Sequence, residues 1–202
     1  MTDFDHLESQ INSCTLCVLS RNRNSAVPGE GSRDADIVFV GEGPGFYEDR
    51  DGRPFVGPSG KLLDKLLTSA GMSREDVYIT NMVKCRPPNN RDPLAGEIGS
   101  CSSYLDLQIE MIDPKVIVTL GRFSFAKFFP TESLSKARGN PRKFGNVTIF
   151  PMYHPAAALH NPGLRPVLER DFARLPSLVL EAQRPVPHES QQQQAQQLGL
   201  FG

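Results

Sequence analysis

Four short runs of β-branched and aromatic residues, separated by stretches with helical spacing, leave this chain few architectures. Ile37-Val38-Phe39-Val40 is continuous and apolar and is closed by Gly41, so it reads as a buried strand. Val77-Tyr78-Ile79-Thr80, Val116-Ile117-Val118-Thr119-Leu120 and Val147-Thr148-Ile149-Phe150 repeat the pattern. Pro58 and Ser59 open a helix whose apolar stripe is Leu62, Leu63, Leu66, Leu67 and Ala70, with Gly71 as its stop. Leu94 to about Met111 has helical spacing, another helix runs through Phe125 and Phe128, and a last one runs from about Leu164 to Leu175. Asp3 to about Asn12 reads as a short leading helix. The alternation predicts an α/β fold: a single domain over residues 1–183 with a central four-stranded parallel sheet flanked by helices.

Ligands of such sheets bind beyond the carboxyl ends of the strands. The segments in that position are Gly41-Glu42-Gly43-Pro44-Gly45, Asn81 to Pro88, Gly121-Arg122 and Tyr153-His154-Pro155-Ala156-Ala157. Polar and glycine-rich residues therefore gather on one rim.

The chain's 202 residues are enough to bury a core without disulfide staples. No apolar run approaches the roughly 20 residues that cross a bilayer. The start, Met1-Thr2-Asp3-Phe4-Asp5, is acidic and has no signal-peptide stretch, so a cytoplasmic protein is expected. In that compartment two disulfides are the weaker reading of the only four cysteines, Cys14, Cys17, Cys85 and Cys101. Cys14-x-x-Cys17 lets two thiolates grip one centre from a tight turn, and the other two tie that turn to the middle of the chain. Four thiolates with no evident histidine partner fit a structural zinc or an iron–sulfur cluster. A formal net charge of −1 means that any nucleic acid must be held by a local patch, not by bulk electrostatics.

The rim segments and the cysteines together resemble the iron–sulfur family 4 of the uracil-DNA glycosylases. The carrying residues are Gly41-Glu42-Gly43-Pro44-Gly45 with Glu48-Asp49 behind, Arg53-Pro54-Phe55-Val56-Gly57-Pro58-Ser59-Gly60, Asn81-Met82-Val83-Lys84-Cys85-Arg86-Pro87-Pro88, and His154-Pro155-Ala156-Ala157. The similarity runs from about Cys14 to the last helix. It implies hydrolysis of the N-glycosidic bond of deoxyuridine in DNA, and a four-iron, four-sulfur cluster on Cys14, Cys17, Cys85 and Cys101 in place of zinc.

The resemblance also implies roles. A base inside a duplex is out of reach, so the nucleotide must swing into a pocket. There Phe55 stacks on the uracil, Asn81 pairs with its N3–H and O4, and Glu48 blocks the C5 methyl of thymine, with neighbouring Tyr47 as the rival. His154 donates a hydrogen bond to the negative charge that develops on O2. Glu42 orients the water, steadies the cationic sugar or braces the pocket. The aspartate that does so in the best-known glycosylase family is replaced here by Gly43, whose backbone amide is instead expected to contact uracil. Phosphate contacts fall to Arg86 and Arg91, and to Lys136, Arg138, Arg142 and Lys143 in a loop before the fourth strand. Leu159 and His160 are placed to fill the space left by the flipped nucleotide. The missing aspartate leaves open a catalytically inactive binding protein. A covalently trapping relative uses a histidine in an inserted basic loop, and residues 136–143 contain none.

From about Arg184 the composition turns to Pro and Gln, which reads as a disordered tail over 184–202. Its end, Gln197-Leu198-Gly199-Leu200-Phe201, resembles the short peptide by which bacterial proteins dock on the replicative sliding clamp. Gln197, Leu198, Leu200 and Phe201 are the expected anchors, and they point to a bacterial source with activity on the nucleoid. Nothing in the sequence asks for more than a monomer.

Overall fold

The computed structural model describes residues 3–182, so the tail and its clamp-like peptide lie outside the described residues. The strands are β1 (Glu30–Gly31), β2 (Ile37–Gly41), β3 (Tyr78–Asn81), β4 (Val116–Leu120), β5 (Arg142–Phe144) and β6 (Val147–Met152). The helices are α1 (Asp3–Ser13), α2 (Phe46–Asp51), α3 (Pro58–Ser69), α4 (Ala95–Ile112), α5 (Arg122–Phe128), α6 (Leu134–Ala137), α7 (Pro155–His160), α8 (Arg165–Phe172) and α9 (Leu175–Ala182).

One sheet runs in the order β1-β3-β2-β4-β6-β5. Its four inner strands pair in parallel, while β1 and β5 lie antiparallel on the two edges. The sheet is therefore six-stranded and mixed, not the four-stranded parallel sheet expected from sequence. Both additions are two or three residues long and carry charge (Glu30, Arg142, Lys143), which suits a guarded edge and leaves no apolar alternation to read. Of the residues expected to form a basic loop, Lys136 belongs to α6 and Arg142 and Lys143 to β5, leaving only 138–141 as loop between them.

Side chains alternate across the sheet. Ile37, Phe39, Val116, Val118 and Phe150 face the leucines of α3 and the apolar residues of α8 and α9. Val38, Val40, Ile117 and Ile149 face α1 and α4 through Phe4, Leu105 and Ile112. Because both faces are covered, β2 and β4 read as continuous apolar runs. Burying each α3 leucine contributes about 1.5–3 kcal/mol, so this stripe alone holds α3 and the loop before it firmly on the sheet. The helix expected from about Leu164 to Leu175 is α8, and it is not the last, because α9 follows it. Pro176 opens α9, and with no N–H it cannot continue the helical ladder from α8.

The chain leaves β2 for β3 on one side and later returns to β4 on the other. The crevice at the carboxyl ends of β2 and β4 is therefore the switch point where such sheets bind ligands.

Candidate active site

Two loops are zipped together at that crevice: Met82 N–H donates to the Gly41 carbonyl at 3.0 Å and Val83 N–H to that of Glu42 at 3.2 Å. A Cβ on Gly41 would lie 2.3 Å from Asn81 Oδ1 and 2.7 Å from Phe55 Cζ, so only glycine lets these two side chains close over β2. Phe55 takes a left-handed backbone (φ 52°), an uncommon place for a bulky residue and a mark of a loop held by its surroundings. Arg74 holds it, donating to the carbonyls of Phe55 at 3.1 Å and Pro54 at 2.6 Å.

Glu48 is buried and its carboxylate accepts from the backbone N–H of Val56 (2.9 Å), Gly57 (2.8 Å) and Gly45 (3.1 Å). It clamps the Phe55 loop to the Gly43–Gly45 loop. Asp49 beside it accepts from Asn24 N–H at 2.8 Å and Asn24 Nδ2 at 2.6 Å, and so fixes the segment after the first cysteine pair.

His154 lies two residues beyond β6 and caps α7, its Nδ1 accepting the Ala156 N–H at 3.1 Å. An imidazole that accepts through Nδ1 carries its proton on Nε2. Burial pushes its pKa down to about 4, against a smaller opposing pull from the Glu48 carboxylate. At neutral pH the ring is therefore uncharged with Nε2–H as its donor. The Phe55 ring stacks on it, centroids 5.4 Å apart and planes 24° from parallel. Gly121, at the end of β4, has φ 96° and would place a Cβ 3.4 Å from His154 Cβ.

These residues surround one cavity of about 350 Å³, lined by Glu42, Gly43, Gly45, Glu48, Phe55, Ser59, Asn81, Pro87, Asn90, Arg91 and His154 among others. Every residue the sequence reading placed around the base is in that wall. Tyr47, the rival to Glu48, is not. Asn81 is 1 % exposed, and its Oδ1 is buried with no hydrogen-bond partner. A buried unpaired acceptor costs about 1–3 kcal/mol, which a ligand's N–H would recover. Burial raises the pKa of the Glu42 carboxyl, Asp92 nearby raises it further, and Arg122 opposes both. A side chain at Gly43 would also meet the protein itself, its Cβ lying 2.7 Å from Val83 Cγ2.

The basic residues divide. Arg91 lines the cavity and forms a two-pronged pair with Glu97 at 2.7 and 2.9 Å. Arg86 donates to Asn90 Oδ1 at 2.7 Å. Arg138 is tied to Asp171 and Arg142 to Glu132, and Arg142 and Lys143 line a separate, smaller hollow beside Leu178. Lys136 and Lys143 are exposed, as are Leu159 and His160 at the end of α7. The structure thus brings Arg86 and Arg91 to the cavity and leaves the other four elsewhere.

Sequence reading missed Lys84. It is fully buried, and Nζ donates to Thr80 Oγ1 (2.6 Å), the Asn81 carbonyl (2.9 Å) and Gln108 Oε1 (2.6 Å). Its position in a polar loop gave no sign of this, since its partner Gln108 lies 24 residues further on, in α4. Lys84→Met leaves the Asn81 carbonyl buried without this donor and Gln108 Oε1 with only the Thr80 hydroxyl at 3.3 Å. It is expected to lower stability by about 1–3 kcal/mol, read as a reduced urea midpoint with an unchanged slope.

The four cysteines are free thiols. Cys85 and Cys101 are buried with Leu19 and Val83, and Cys17 packs against them. Three sulfurs accept N–H groups: Cys85 from Arg23 at 2.9 Å, Cys101 from Lys84 N–H at 3.3 Å and Cys14 from Leu16 N–H at 3.5 Å. Among the described residues, no group of three or more His, Cys, Asp or Glu is arranged to hold a single metal ion. No helix among them is long and apolar enough to cross a membrane.

A switch-point cavity with an aromatic wall, a buried amide short of a partner and a neutral histidine donor defines a protein that handles one flat polar heterocycle. The chain belongs to the uracil-DNA glycosylase superfamily, whose family model matches residues 28–174. It is similar to the type-4 uracil-DNA glycosylase of Sulfurisphaera tokodaii, 48 % identical over 194 residues covering 91 % of this chain and 88 % of that one. The type-4 enzyme of Thermotoga maritima is 46 % identical over 178 residues, 86 % of this chain and 93 % of that one. A type-5 uracil-DNA glycosylase of Pyrobaculum aerophilum is 33 % identical over 155 residues, 68 % of each. Archaeal and bacterial relatives stand side by side, so they do not favour the bacterial source expected from the tail.

Proposed function

We propose that this chain hydrolyses the N-glycosidic bond of deoxyuridine in DNA, releasing uracil and leaving an abasic site for base excision repair. The observation that carries this reading is Asn81, a buried amide whose Oδ1 lacks a donor, sharing one cavity with Phe55 and His154. Uracil brings an N3–H for that oxygen and an O4 for the amide's N–H. Cytosine brings the reverse pattern and leaves two buried groups unpaired.

The nucleotide swings out of its strand into the cavity, where Phe55 covers the face of the base and the Glu48 clamp sets the space left at C5. As the C1′–N1 bond breaks, its electron pair moves onto uracil and accumulates at O2. The His154 Nε2–H donates there, stabilising the departing anion more than the ground state. Water then bonds to C1′. Glu42, whose raised pKa suits it to accept a proton, orients that water and takes one of its hydrogens. Glu42→Gln is expected to slow single-turnover release about 10²–10⁴-fold with little change in DNA affinity.

The donor set at Cys14, Cys17, Cys85 and Cys101 fits a four-iron, four-sulfur cluster: four thiols, no disulfide, an apolar surround and N–H groups aimed at three sulfurs. Bound there, it would supply a structural tie between the N-terminal segment and α4. Arg86 and Arg91 are the phosphate contacts nearest the cavity, with exposed Lys136 and Lys143 further contributors; Arg91, Arg138 and Arg142 each already pair with a carboxylate that a phosphate would have to share. The substrate is single- or double-stranded DNA. The 197–201 peptide docks the chain on a sliding clamp, which a binding measurement between the full chain and a purified clamp tests.

Incubation with single- and double-stranded oligonucleotides carrying one uracil, followed by alkali, decides the activity. Free uracil with turnover and strand cleavage supports the glycosylase. A heat-stable adduct means covalent trapping, and neither result means a binding protein.

A further inference from the structure

Phe46 and Tyr47, the first two residues of α2, stand at the cavity mouth with 51 % and 44 % of their surface exposed. On either side of them in the chain, Gly45 and Glu48 line the cavity. Exposed apolar residues are common singly and mean little, but this pair is built. The rings meet edge to face, centroids 5.5 Å apart. The Arg86 guanidinium lies 5.2 Å from the Phe46 centroid, and that of Arg50 lies 5.5 Å from the Tyr47 centroid. Arg86 is itself fixed by Asn90 at 2.7 Å, and Asn90 and Pro87 line the cavity. Tyr47 is fixed too: a Cβ on Gly57 would lie 3.1 Å from its Cδ2. Phe46 thus packs edge-to-face against Tyr47 and is backed by a cation, with half its surface open to solvent. By contrast Phe144, also exposed, packs edge-to-face against two rings, Phe128 and Phe129, with no cation over it among the described residues.

Aromatic rings interleaved with arginines beside a strand's path are how proteins grip unpaired bases, since every base has a π-face. We propose that Phe46, backed by Arg86, is a stacking platform for a nucleobase flanking the everted nucleotide. This rests on the glycosylase reading and deepens it: the platform holds a neighbour of the uracil in place while the uracil occupies the cavity. The chemistry selects unstacked bases without preference for sequence, so single-stranded DNA and frayed or mismatched sites bind more tightly than intact duplex.

The test uses single-stranded oligonucleotides with a 2′-fluoro-deoxyuridine, whose electron-withdrawing fluorine resists bond breaking, and 2-aminopurine on its 5′ or its 3′ side. The full-length protein is expected to quench the 2-aminopurine at one of these positions. Phe46→Ala should abolish the quenching and weaken binding about tenfold, and Phe46→Trp should restore both. On plain deoxyuridine oligonucleotides the alanine variant should raise KM about tenfold and move kcat less than twofold. Quenching at neither position, or alanine and unaltered proteins binding within twofold of each other, overturns the platform. If the unaltered protein releases no uracil at all, the glycosylase reading fails instead.

Discussion

Replacing His154 by alanine is expected to slow uracil release about 10²–10³-fold, the usual cost of removing one donor aimed at a developing negative charge. The side chain does two things, however: Nε2–H faces the reaction while Nδ1 caps α7 through Ala156. His154→Asn separates them, because asparagine is a good N-cap but has no ring nitrogen reaching the cavity. The asparagine variant should lose about as much rate as alanine and less stability. If it instead kept near-normal rates, the histidine would be a cap alone. The ring's ionisation gives a second handle. Its pKa is about 4 when folded, against an ordinary value of 6.5. Between those values the unfolded chain binds a proton that the folded chain refuses, so this group lowers stability progressively as pH falls from about 6.5 to 4 and contributes nothing above that window. The rate should fall over the lower part of the same range, because the imidazolium can no longer accept the Ala156 N–H. Nitrogen NMR should find His154 neutral, with its proton on Nε2, at pH 6. A charged ring at that pH would remove the argument for a neutral donor.

How much of this was legible in the residues follows from where each signal sits. The inner strands announced themselves because both faces are buried, so Ile37–Val40 and Val116–Leu120 needed no alternation to be seen. The edges did not, since Glu30–Gly31 and Arg142–Phe144 are short, charged and paired on one side only. The same holds at the site. Phe55, Asn81 and His154 were readable because they close or follow strands or stand in glycine-rich loops on the ligand-binding rim. The residues that support them are polar groups buried by tertiary folding: Lys84 through Gln108, Arg74 through the Phe55 loop, and Glu48 through three backbone amides. Charge alone does not show pairing. Arg91, Arg138 and Arg142 look alike in the chain, yet the structure pairs them with Glu97, Asp171 and Glu132, partners that only the fold brings near. Helix breaks depended on single residues: Gly71 was visible as a stop, while Pro176 lay beyond the range assigned to the last helix.

Asn81→Ala should be the most damaging change in the base-reading wall. Two hydrogen bonds to the base disappear, each costing about 1–3 kcal/mol when its partner is left buried, which amounts to roughly a hundred- to ten-thousandfold in kcat/KM. The folded protein itself should suffer little, because the Asn81 carboxamide oxygen bonds to nothing in the absence of ligand, and removing an unpaired acceptor relieves a cost. A loss of activity with a preserved or raised urea midpoint is the signature of a group kept for the substrate and not for the fold. Lys84→Met should show the converse order. Its ammonium holds the Asn81 backbone carbonyl, not the side chain, so stability falls first and activity follows as the amide loses its fixed aim. The rate loss in that variant should be larger for uracil in competition with cytosine-rich DNA than in its absence, since a loosened amide can turn over and pair with cytosine. If Asn81→Ala destabilises the chain as much as Lys84→Met does, the unpaired oxygen is not waiting for a base, and the assignment of this cavity to uracil falls with it.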